Sequence, residues 1–228
     1  MASRLEFRNR TGEDSATQDV QFTEWLAELK TSGSNLLVTG DVPKETSAGF
    51  SRTLFGQGRR SRLLALTNPT TLDAGSYLPV HPTTGNTRIF DRRTEHRGTT
   101  SDSVNERVSD LDRETLRSEL ISAISRFDDE NGGFAPAELR LGIDSIDMLT
   151  GGEDIVSFSQ FLRGLTAIVR GVNGMAHYHV RVPDDDQLVE DLSPLFDARI
   201  ELRKRPGVAE QRWHVPDLDE TTYWVQLS

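Results

Sequence analysis

The 228-residue chain carries 36 acidic against 26 basic residues, a formal net charge of −10, 35% apolar residues and no cysteine. The length suffices to bury one substantial core, and the missing thiols exclude disulfides and thiolate metal sites. With no basic stripe interleaved with aromatics, the acidic balance argues against nucleic-acid binding, and the short run "RKRP" at Arg203 does not reverse it.

Residues 1–17 read as a flexible arm and 18–228 as a single domain. The polar N-terminus lacks the apolar core of a signal peptide and no apolar run is long enough to span a bilayer, so the expectation is a soluble, cytoplasmic protein without membrane insertion. Phe22, Trp25, Leu26 and Leu29 recur on one helical face. "NLLVTG" from Asn35 has the continuous apolar character of a buried parallel strand, "SAGFSRTLFG" can form a short helix closed by Gly56, and "SRLLALTN" repeats the strand signal. From Pro69 to about Asp112 periodicity is lost, apart from a short strand in "TRIF", and a long loop region with partial disorder is expected.

Order resumes with Leu116, Leu120, Ile124 and Phe127 on one helical face, ended by "DDENGG". "ELRLGIDS" supplies a strand that finishes in Asp144. Ser157 and Gln160 have the spacing of a capping box ahead of the stripe Phe158, Phe161, Leu162, Leu165 and Val169. The strand "MAHYHVRV", a short acidic helix from Asp185 to Leu192, and the strands "DARIELRK", "RWHV" and "TYWVQL" complete the chain. Strands alternating with helices, then strands without them, predict an α/β fold: a mostly parallel central sheet flanked by helices, with antiparallel C-terminal strands.

The stretch "GDVPKETS", Gly40 to Ser47, invites comparison with GxxxxGK[ST], in which backbone N–H groups cradle phosphates, lysine neutralises them and the hydroxyl holds magnesium. Gly40 and Ser47 fit, whereas Glu45 replaces glycine, Thr46 replaces lysine, and Lys44 stands two positions early. An acid beside polyphosphate costs on the order of several kcal/mol at contact distance for an effective dielectric near 20. Asp144 occupies the end of a buried strand, where such proteins carry the acid that orders magnesium. His177 and His179 share a strand face and read as a structural pair rather than metal ligands, since no third ligand is near in sequence.

The succession "LLVTG", "RLLALTN", "LRLGIDSID", "FSQFLRGLTAIVRG", "MAHYHVRV", "FDARIELRK" and "RWHV" resembles the RecA-like fold, and within it the KaiC-like ATPases, over Asn35 to about Val215. The composition is similar to that of cytosolic proteins of extremely halophilic archaea, since only Lys30, Lys44 and Lys204 are lysines among the basic residues. The resemblance places the family's loop lysine at Thr46 and its catalytic glutamates at Thr67 and Asn68, neither of them a general base at neutral pH. Gly40, Lys44, Thr46, Ser47 and Asp144 then form a vestigial nucleotide site. The implied function is non-catalytic, regulatory or scaffolding, through contacts with protein partners or further copies of the chain, in signalling, motility or cell-shape control. The alternative is an ATP-binding protein or slow ATPase in which Lys44 turns toward the phosphates while Ser47 and Asp144 hold magnesium; ATP and magnesium are cofactors only there.

Overall fold

Every side chain of Ser34–Thr39 (β1) and of Ser61–Leu66 (β2) is buried, as a continuous apolar run demands when both faces of its sheet are covered. The structure is a computed structural model and describes residues 12–79, 85–93, 102–150, 155–218 and 220–227, with side chains of the first helix from Val20 onward and of the fourth from Arg113 onward. The other strands are Thr87–Asp91 (β3), Leu139–Ile143 (β4), Met175–His179 (β5), Ala198–Arg205 (β6), Val208–Val215 (β7), Glu220–Thr221 (β8) and Val225–Gln226 (β9). They form one sheet in the order β3-β2-β4-β5-β1-β6-β7-β8, with β9 also paired to β7.

From β3 to β6 all neighbours run parallel, and β7, β8 and β9 join antiparallel. The mostly parallel α/β sheet with antiparallel C-terminal strands is therefore as the patterning predicts. The first helix, Gly12–Ser32 (α1), the second, Lys44–Phe55 (α2), and the short Ala74–Tyr77 (α3) lie on one face. Asp102–Asn131 (α4), Ile155–Gly171 (α5) and Gln187–Leu192 (α6) lie on the other, over the larger core.

Strand alternation sends Ala176 and Tyr178 of β5 into the α4–α5 core and His177 and His179 to the α2 side. Around α1, Phe22, Trp25 and Leu29 pack on Leu36, Ile200 and Trp213, and Phe22 stacks on Trp25 at a centroid distance of 5.7 Å.

Several boundaries differ from the sequence reading. Helix α1 begins at Gly12, inside the stretch expected to be an arm, and residues 1–11 lie outside the described residues. The expected loop over 69–112 holds the short strand expected at "TRIF" as β3, but also α3 and the beginning of α4, and its residues 80–84 and 94–101 also lie outside. Helix α5 starts at Ile155, so Ser157 sits within its first turn and not at a cap. Among the described residues no helix is long and apolar enough to cross a membrane.

Candidate functional site

The stretch Gly40–Ser47 sits at the C-terminal edge of the parallel strands, beside the ends of β5 and β6. That edge is where open α/β sheets present ligand crevices, between neighbouring strands whose connections leave on opposite faces. Here β1 leads into α2 on one face, while its neighbour β5 leads into α6 on the other. Within the loop, the amides of Gly40, Val42, Thr46 and Ser47 are engaged by the protein's own carbonyls.

The backbone accounting is direct. Gly40 donates its N–H to Val182 O at 3.0 Å, and Val42 donates to Gly40 O at 3.0 Å. Pro43 has no N–H. Thr46 and Ser47 both donate to Pro43 O, at 2.8 and 3.2 Å, because α2 already begins at Lys44 and these amides close its first turn. The sequence reading began this helix at Ser47; the earlier start turns half of the would-be cradle into helix. Gly40 has φ 117°, and a Cβ there would lie 2.2 Å from Leu202 O. Its glycine thus lets β1 and β6 approach closely, which explains Gly40 without any phosphate.

The candidate side chains diverge. Ser47 is buried against the sheet, whereas exposed Glu45 and half-buried Thr46 line an outer cleft of about 310 Å³ between α2 and the C-terminal strands, with Gly49, Arg52 and Leu227. Lys44 directs Nζ to Thr70 O at 3.5 Å, toward the loop after β2. At the end of β4, Asp144 is 1% exposed. Its Oδ1 accepts from Thr67 N at 2.6 Å and from Thr67 Oγ1 at 2.9 Å, while Oδ2 is buried without a hydrogen-bond partner. Burial holds this carboxyl above the usual carboxylate range despite the Thr67 hydrogen bonds.

Thr67 and Asn68, which the resemblance aligns with catalytic glutamates, fasten strand ends together. Thr67 Oγ1 also donates to Ser145 O at 2.6 Å, and Asn68 Oδ1 accepts from Thr70 N at 2.9 Å in an Asx turn. On β5, His177 and His179 lie with ring centroids 5.6 Å apart. His177 Nε2 shares a hydrogen bond with Ser51 Oγ at 2.6 Å, whereas His179 Nε2 is buried without a partner. Burial pushes His179 down to about 3, with help from Arg181, and His177 well below the usual histidine value.

A second cluster was invisible to the sequence reading because its members are far apart in the chain. Asp184, Glu201 and His214 bring ligand atoms within 4.8 Å of one another on the opposite face of the same edge. His214 Nε2 stands 3.0 Å from Glu201 Oε2, Arg212 Nε 2.5 Å from the same oxygen, and Arg199 Nη1 2.9 Å from Asp184 Oδ2. Two arginines thus already balance two carboxylates, and Thr39 Oγ1 donates to Asp184 Oδ1 at 2.5 Å. This is an electrically complete clamp joining β1, β6 and β7.

A model of a family of unknown function, DUF7504, matches residues 33–202. The chain belongs to DUF7504. The DUF7504 match runs from just before β1 through most of β6, so it contains Gly40–Ser47, Asp144 and both strand histidines, and leaves α1 and His214 outside. No curated protein matches the chain.

Proposed function

We propose that this protein is a non-catalytic, KaiC-like regulatory or scaffolding protein that acts through protein–protein contacts. The observation that carries this reading is the state of the loop amides: four of those between Gly40 and Ser47 donate to the protein's own carbonyls and Pro43 has none. A phosphate seated there would compete with the Gly40–Val182 link and with the Thr46 and Ser47 bonds to Pro43 O. Glu45 adds a negative charge to the same turn, and Asp144 is buried with Oδ1 already held by Thr67. The order of strands, with the connections of β1 and β5 leaving on opposite faces, supports descent from a nucleotide-binding scaffold.

The test is equilibrium binding of labelled ATP with magnesium in molar KCl. No saturable binding is expected. Micromolar affinity abolished by Lys44→Ala would replace this reading with the ATP-binding alternative. The surface chemistry further supports a halophilic archaeal setting, and the regulatory process we assign is signalling, motility or cell-shape control.

A further inference from the structure

The opposite rim of the sheet, where the parallel strands begin, gathers positive charge in a protein whose net charge is −10. Arg62 opens β2 and Arg140 opens β4, side by side in register, and Arg60 precedes β2. Arg62 is 2% exposed; its Nη2 donates to Gly56 O at 2.7 Å and to Gly58 O at 3.0 Å. Arg140 donates from Nε to Ala137 O at 3.1 Å and from Nη1 to Leu54 O at 3.4 Å. These bonds satisfy carbonyls at and beyond the C-terminus of α2, whose dipole accounts for part of the charge.

They do not account for all of it. Among the described residues no carboxylate stands within ion-pair distance of Arg60, Arg62 or Arg140. Burial, and then the charges of Arg60 and Arg62, press Arg140 down to about 10. Arg60 donates from Nη1 to Ala137 O at 2.9 Å, yet its Nε–H and that of Arg62 are buried with no acceptor. A buried charged donor without an acceptor is costly, and an anion nearby would both accept and offset the excess positive charge. Beside Arg60 opens a hollow of about 400 Å³ lined by Arg59, Arg60, Asn131, Ala135 and Glu138. Glu138 turns its carboxylate onto Ala135 N at 2.9 Å. Two guanidinium groups, Arg59 and Arg60, therefore face the hollow against the single carboxylate of Glu138.

We propose that this hollow binds a small phosphate-type oxyanion, held by Arg59 and Arg60, with the positive field of Arg62 and Arg140 behind them. Guanidinium forks match the oxygens of a phosphate, and low-dielectric walls focus the field on it. The site lies at the far edge of the sheet from Gly40–Ser47 and does not depend on the fate of that loop.

Pyrophosphate, titrated calorimetrically into the full chain at constant ionic strength against a chloride control, tests it. One saturable site is expected, with the affinity lowered about tenfold by Arg59→Gln and by Arg60→Gln, the loss of one charge-assisted contact. Lys44→Ala should leave the affinity unchanged, which separates this rim from the β1 loop. Because Arg60 also clips Ala137, exposed Arg59 carries the test should Arg60→Gln fail to fold. Glu138→Gln should tighten binding by removing the carboxylate from the lining. Absence of saturable heat, affinity indifferent to Arg59→Gln, or weaker binding in Glu138→Gln would overturn the proposal.

Discussion

Gly142 and His179 show how single positions record the interior of this protein. Gly142 lies next to His177 in register, and a Cβ on it would sit 2.6 Å from both His177 Nε2 and Phe55 Cζ. Its small size makes room for the imidazole that meets Ser51. Gly142→Ala should destabilise by about 1–3 kcal/mol, the usual cost of overpacking, read as a lower denaturant midpoint at unchanged slope. His179 is a base whose pKa falls from 6.5 to about 3 on folding. Its neutral form therefore stabilises the fold fully above pH 6.5, and that contribution is lost as pH drops toward 3. Thermal melts should show stability declining through this window, and His179→Leu should flatten part of the decline. The sequence reads the histidine pair as structural; in the fold His177 Nε2 meets Ser51 Oγ, while His179 Nε2 is buried without a partner. Ser51, the partner of His177, was illegible, because it belongs to a helix that crosses β5 only in three dimensions.

At the scale of the element, α2 decides what the β1 loop can do. Its start at Lys44 follows from Pro43, whose fixed φ suits the entry to a helix and whose carbonyl accepts from both Thr46 and Ser47. The side-chain departures at Glu45 and Thr46 were legible in the sequence, whereas the consumption of the amides was not. The two differ in a measurable way. Restoring the motif with Glu45→Gly and Thr46→Lys together should leave labelled ATP unbound, since the amides of Gly40, Val42, Thr46 and Ser47 stay engaged with the protein's own carbonyls. Micromolar binding by that double variant would mean that side chains alone had silenced the loop. The same scale explains the missed starts of α1 and α4: polar segments without a clear apolar stripe join helices whose later turns are anchored by packing. Local pattern detects the anchor and not the extension.

At the scale of the whole molecule, the acidic balance predicts salt dependence. The screening length shortens from roughly 10 Å at 0.1 M to about 3 Å at 1 M ionic strength, which relieves repulsion among surface carboxylates. The melting temperature, followed by far-UV circular dichroism, should rise from dilute buffer to molar KCl, by about 2–4 °C for each kcal/mol of repulsion relieved in a chain of this size. A melting temperature indifferent to KCl would remove the halophilic part of the proposed setting.

By itself the sequence determined the class of fold, the buried strands, the helical faces and the chemical mismatch at Glu45 and Thr46, because hydrophobic period and side-chain charge are local properties. The tertiary structure alone decided the strand order, the engagement of the loop amides, the Asp184–Glu201–His214 clamp and the arginine rim. These depend on which distant strand ends meet, and a parallel sheet brings together residues separated by tens to well over a hundred positions without leaving any periodic trace of the pairing along the chain.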